Sequence, residues 1–263
     1  MDMAPRRDVI QNGGRATGIV CEGRGPVVLV VPDPHQPTIS WFEPTMAGGL
    51  INDVTLAVVE LAPAGEAAPD SRRFHPEAVT EDLREVLRWL DVDRVVAWGF
   101  AGGASFAASL ARRRPDLVRG LIVGSASVGD PRGHYEGLEL DREALIGRLV
   151  QALRANDWEA YFDAAPWHAS AETRQEILAE CRGSDIAAAL EGELLRPSGL
   201  VLPASPSFVY WGDREPFHSL NTLAVESLPV QWTTVTGHRG DVMRAGRWLS
   251  REIREFLLET VSV

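Results

Sequence analysis

Asp93-Arg94-Val95-Val96-Ala97-Trp98-Gly99-Phe100-Ala101-Gly102-Gly103-Ala104-Ser105-Phe106-Ala107-Ala108-Ser109-Leu110-Ala111 is the stretch from which the architecture is read. Its first part, through Trp98, has the apolar β-branched character of a buried strand. Its last part, from Ala104, reads as a helix of small and apolar residues. Between them, Gly99-Phe100-Ala101-Gly102-Gly103 has the form G-x-S-x-G with the serine replaced. Strand, tight glycine turn and helix is the setting that gives this motif meaning, because the strained turn lifts its central side chain above a sheet. Here that side chain is the methyl of Ala101, which can neither attack a carbonyl nor hold a covalent intermediate.

Working outward, Val27-Val28-Leu29-Val30-Val31 is an all-apolar run of the kind buried on both faces of a parallel sheet. Residues 53–61, 117–125, 207–211 and 229–235 repeat that character. Asn12-Gly13-Gly14 is a hairpin turn inside the strand-like stretch 9–21. Residues 76–90 place Val79, Leu83, Val86, Leu87 and Leu90 on one stripe, which predicts an amphipathic helix. A closing helix is expected over about 241–258. Strands alternating with helices predict a mainly parallel sheet covered on both faces. The alternation stops between Asp130 and Pro206, where 142–156, 157–164 and 171–195 all read as helical. The expected division is a core over 1–129, a helical lid over 130–205 and the rest of the core over 206–263. The lid would lie over the strand ends, where open α/β sheets bind ligands.

Composition narrows the function. The chain has 263 residues, is 45% hydrophobic and carries a formal charge of -11, which disfavours a nucleic-acid partner. Its 26 basic residues are all arginine, so neither a Schiff-base lysine nor a phosphate-loop lysine is available. Cys21 and Cys181 are too far apart for metal spacing and read as two reduced thiols. Residues 1–15 lack an apolar segment and no apolar run reaches membrane-spanning length, so a cytoplasmic protein without signal peptide or membrane anchor is expected. No glycine-rich dinucleotide turn and no metal cluster is visible, and the expectation is no cofactor and no metal.

With these motifs the chain resembles the lid-bearing α/β-hydrolase superfamily, which includes bacterial esterases, epoxide hydrolases, haloalkane dehalogenases and C–C bond hydrolases. The resemblance is strongest over 92–125 and 207–256. It implies that Ala101 occupies the nucleophile position. In Gly212-Asp213-Arg214-Glu215 it places the acid on Glu215, with Asp213 two residues away and Asp130 a distant alternative position. In Thr236-Gly237-His238 it places the late histidine on His238, so that nucleophile position, acid and histidine follow in the expected order.

One further departure concerns the oxyanion hole. Where the family has His-Gly-x after the first buried strand, this chain has Pro32-Asp33-Pro34. Pro34 has no N–H, so one donor is absent and the Gly102 N–H is the donor that remains. Losing such a donor removes about 3–4 kcal/mol of transition-state stabilisation. Asp33 and His35 stand in the altered loop either as a solvated turn or as pocket groups. Phe100 and Trp41 are expected as pocket walls, and of Trp41, Trp98, Trp167 and Trp211 at least half are expected in the core. Ser105, one helical turn beyond Ala101, is expected to face the interior, and Ser125 ends a strand where it is a further candidate for lining the pocket.

An imidazole held by a carboxylate keeps one tautomer and can still move a proton without a serine. Three functions follow. The first is a lyase, cyclase or isomerase that uses His238 and Glu215 as a proton-transfer pair on a bulky, mostly apolar, carbonyl-bearing small molecule. The second is a serine-type ester, lactone or thioester hydrolase captured as an inactive Ser-to-Ala variant at position 101. The third is a non-catalytic relative that binds a ligand or partner. A monomer or homodimer is expected.

Overall fold

Strands that are apolar at every position must be covered on both faces, and the arrangement of the sheet satisfies this. The computed structural model describes residues 6–33, 48–61, 71–128, 142–165, 171–194, 200–215, 217–237, 242 and 246–261. Its strands are β1 (Arg6–Asn12), β2 (Arg15–Gly23), β3 (Val27–Val31), β4 (Thr55–Glu60), β5 (Val95–Phe100), β6 (Val118–Gly124), β7 (Ser207–Gly212) and β8 (Gln231–Val235). They form one eight-stranded sheet in the order β1-β2-β4-β3-β5-β6-β7-β8. β2 pairs antiparallel with β1 and β4, and all remaining pairs are parallel.

Two cores lie on opposite faces because side chains alternate along each strand. Leu29, Val31, Ala97, Leu121 and Val123 belong to the core under α1 (Pro76–Leu90) and α2 (Gly102–Arg113). Val28, Val30, Val96, Trp98 and Ile122 belong to the other, under α8 (Gly246–Val261). Both helices flanking the elbow strand are therefore explained by pattern alone. The hairpin also forms as its turn residues dictate: Asn12 pairs with Arg15, and Gly13 and Gly14 take φ of 55° and 83°.

The β1–β2 hairpin is tied to α1 by charge. Asp82 is buried on α1 and accepts from Asn12 Nδ2 at 2.7 Å and from Arg15 Nη2 at 2.8 Å. Asp82→Ala is expected to lower stability by about 2–3 kcal/mol, read from urea unfolding, because it strips two donors of a charged acceptor.

Between β6 and β7 the described residues form α3 (Arg142–Arg154), α4 (Trp158–Ala164), α5 (Ala171–Glu180) and α6 (Gly183–Leu194). These build a third apolar cluster of their own around Leu149, Tyr161, Ile177 and Ile186. An isolated parallel bridge between Val128 and Leu200 brings the two ends of the excursion together. α6 packs on the short helix Ser71–Phe74 so closely that a Cβ on Gly192 would lie 2.5 Å from Phe74 Cβ.

The sequence pattern reads 171–195 as one helix, and the structure breaks it at Cys181-Arg182. There the Asp185 N–H donates to the Arg182 carbonyl, and Arg182 Nε donates to the Asp185 carboxylate at 2.6 Å. A negative charge in the first turn of α6 stabilises that new helix start. Cys21 and Cys181 are free thiols, and burial pushes the Cys21 thiol up to about 11. Among the described residues no helix is long and apolar enough to cross a membrane.

Candidate active site

The elbow keeps its strained shape around an inert side chain. Ala101 has φ 48° and ψ −118°, the backbone of a strand-to-helix turn that L-residues adopt only under constraint. Two glycines supply the constraint. A Cβ on Gly99 would fall 2.4 Å from the Ala104 Cα, and one on Gly103 would fall 2.0 Å from the Val31 carbonyl oxygen. The turn is thus clamped between its own helix and the end of β3. Since glycine takes positive φ without the Cβ penalty, Ala101→Gly is expected to raise stability by about 0.5–1 kcal/mol, measured by thermal unfolding.

Strand register shows what surrounds that methyl. Val31 pairs with Gly99, and Pro32-Asp33 leave the end of β3, where the Val31 and Pro32 carbonyls close on Gly103. Phe100 pairs with Gly124, so Ser125 comes level with Ala101 on the other side. The Ala101 N–H donates to the Gly124 carbonyl at 2.8 Å, and the Ser125 N–H donates to the Tyr210 carbonyl at 2.9 Å. The carboxyl ends of the neighbouring strands β3, β5 and β6 therefore lead into Asp33, Ala101 and Ser125. Asp33 is buried, with 5% exposure, so it is not a solvated turn residue.

Beyond β7, Glu215 is also 5% exposed, and its Oε1 accepts from the Gly212 N–H at 3.1 Å. Asp213 plays a different part from the one its spacing suggests. Its Oδ1 accepts from the Gly237 N–H at 2.8 Å, while the Arg214 N–H donates to the Gly237 carbonyl at 3.1 Å. A Cβ on Gly212 would lie 2.2 Å from that same carbonyl oxygen. The residue preceding His238 is thus pinned to the turn that carries Glu215. His238 itself, with Pro34, His35, Trp41, Asp130 and Trp167, lies outside the described residues.

Phe100 is fully buried, its ring 6.3 Å from that of Tyr210, in the core under α8. The reason is strand alternation: Phe100 follows Trp98 by two residues and shares its face. Trp98 Nε1 donates to the Tyr210 hydroxyl at 2.9 Å, and burial holds that phenol far above its ordinary range. Trp98 and Trp211 are both core residues. Ser105 returns its hydroxyl to the Gly102 carbonyl at 2.9 Å, near the start of α2.

One structural residue carries no readable signal in the sequence. Asn221, on α7 (His218–Glu226), is fully buried; its Oδ1 accepts from the Val128 N–H at 2.8 Å and its Nδ2 donates to the Ala126 carbonyl at 2.9 Å. It fixes the segment that leaves β6. Among the described residues no group of three His, Cys, Asp or Glu side chains is placed to hold a metal ion.

No protein-family model and no curated protein matches the chain. Solved structures do match. An N-acyl homoserine lactonase, AidH, aligns with TM-score 0.75 and 15% identity over 99% of this chain and 98% of its own. An esterase from Thermogutta terrifontis aligns with TM-score 0.72 and 20% identity over 97% and 99%. The bottromycin epimerase BotH aligns with TM-score 0.68 and 18% identity over 94% and 98%. At these identities the likeness is one of fold: the chain has the α/β-hydrolase fold.

Proposed function

We propose that this chain is an enzyme that has given up covalent catalysis and moves protons on a bulky, mostly apolar, carbonyl-bearing small molecule. His238 is the acid–base group and Glu215 its carboxylate partner. The observation that carries the reading is the elbow: a strained, doubly clamped turn is kept around a methyl group, while the buried, hydrogen-bonded Glu215 sits on the turn to which the residue preceding His238 is pinned. A turn that costs about 1–3 kcal/mol is retained where it shapes a site.

His238 would take a proton from the carbon beside the substrate carbonyl, and the imidazolium formed would be held by Glu215. Return of the proton gives isomerisation; loss of a leaving group gives elimination; attack within the substrate gives a ring. Gly102 N–H is the backbone donor for the substrate oxygen, since Pro34 has none. Asp33, buried on the β3 side of Ala101, sets a negative charge or a carboxyl proton against the same substrate. The helical excursion, 130–205, is the lid that excludes water. That the fold also carries an epimerase, BotH, is consistent with proton transfer on this scaffold. The protein acts in the cytoplasm, as a monomer or homodimer.

The test is carbon–hydrogen exchange. A panel of α-substituted ketones, esters and thioesters is incubated in D2O and followed by NMR. The wild-type chain is expected to speed deuterium entry beside the carbonyl of at least one of them. If none exchanges faster with wild type than with His238→Gln, the reading is wrong.

The retained turn favours one second reading, a serine hydrolase lacking only its hydroxyl. Ala101→Ser separates the two. With one oxyanion donor gone, little turnover of p-nitrophenyl esters is expected, and a strong burst of nitrophenol would establish the hydrolase instead.

A further inference from the structure

We propose that the Ser125 hydroxyl is a substrate-binding donor for the carbonyl or enolate oxygen held above Ala101, replacing from the β6 side the donor that Pro34 cannot supply from the β3 side. The proposal rests on the proton-transfer reading above. Four observations meet at this residue. Ser125 is fully buried. Its hydroxyl oxygen has no hydrogen-bond partner among the described residues. Its φ is 48°, a left-handed backbone that a serine adopts only when held there. Register places it level with Ala101 on the neighbouring strand.

The holding is visible on both sides. The Ser125 N–H is fixed by the Tyr210 carbonyl, and the next three residues are fixed by Asn221 through Ala126 and Val128. The segment therefore cannot relax to find the hydroxyl a partner. An unpartnered buried hydroxyl disfavours the free protein, and it is recovered only by something that arrives later. Thr17, Ser127 and Ser205 also bury unpartnered hydroxyls, but Thr17 is on β2, three strands from β5, Ser127 lies two residues beyond Ser125, and Ser205 precedes β7. None of the three has a left-handed backbone. Among the described residues, strain, an orphan hydroxyl and the elbow coincide only at Ser125.

p-Nitrophenol is the probe, because its phenolate oxygen resembles an enolate and its absorption reports the ionised fraction. Wild type is expected to bind the phenolate and lower the apparent pKa of the bound phenol. Ser125→Ala is expected to weaken that binding about 10-fold and to raise the bound phenol's pKa. The same change is expected to raise Tm by about 2–4 °C, because the buried orphan is gone. Ser125→Gly, which also releases the backbone, should be more stable still and bind equally weakly. A purely structural hydroxyl gives the opposite: a lower Tm in Ser125→Ala. That result, unchanged phenolate binding in the variant, or no binding by wild type, overturns the proposal. Exchange activity lost in His238→Gln with phenolate binding unaltered in Ser125→Ala rejects this donor alone. Absence of exchange in wild type with the Ser125 effects intact rejects the proton-transfer reading alone.

Discussion

His238→Gln is expected to lower the rate of substrate deuterium exchange by about 10²–10⁴-fold, with binding and Tm close to wild type. Glutamine fills much the same space as histidine and can hydrogen-bond, but it cannot take a proton near neutral pH. The loss should therefore fall on turnover. Glu215→Gln should give a smaller loss, since the imidazole remains and only its orientation and the stabilisation of its charged form are weakened. The Glu215 carboxylate also accepts the Gly212 N–H, and a glutamine side-chain oxygen can do the same, so the turn should survive. The measurement is single-turnover exchange with a probe found in the panel, beside its dissociation constant. Equal turnover in wild type and His238→Gln would remove the histidine from the chemistry, and a non-catalytic ligand-binding protein would then fit better.

Gly103→Val should produce the largest loss of stability, about 3 kcal/mol or more, seen as a Tm fall of at least about 6 °C. A Cβ at this position lies 2.0 Å from the Val31 carbonyl oxygen and 2.5 Å from that of Pro32. Both are backbone atoms, so no rotamer change relieves the contact; β3 and α2 would have to separate. That separation also shifts Asp33 relative to Ala101, so the site should be lost with the stability. Gly147→Ala is the control. Gly147 lies within α3, has nothing within 4 Å of its missing Cβ, and should gain about 0.5–1 kcal/mol from helix propensity. If both glycines responded alike, the close approach at the elbow would have no energetic meaning.

The two glycines show what kind of information is local. Gly99 and Gly103 are legible as an elbow because the motif encodes a turn whose sterics involve a few neighbouring residues. The same holds for Gly13-Gly14, whose positive φ values belong to a two-residue hairpin, and for 76–90, whose apolar stripe is a property of one helix. The break at Cys181-Arg182 was not legible. Helical periodicity continues across it, and the interruption depends on an ion pair and on packing within the 142–194 cluster.

The site divides along the same line. Ala101 and Glu215 are assigned from motif spacing alone, and both are buried. Asp213 reads from spacing as a rival acid, yet it holds Gly237, because its partner comes from a loop on another strand. Phe100 reads as a pocket wall from its place in the motif, yet strand alternation turns it into the core beneath.

Sequence alone determined that a strand, a tight glycine turn and a helix follow one another around Ala101, because those features depend on the sterics and polarity of consecutive residues. Only the tertiary structure decided that Asp33 and Ser125 are buried past the ends of the two strands beside β5, that Asn221 locks the segment after β6, and that Gly237 is bound to the Glu215 turn. Each of these is a contact between strands brought together by sheet order and register, and pairing over such distances leaves no periodic trace in the chain that forms it.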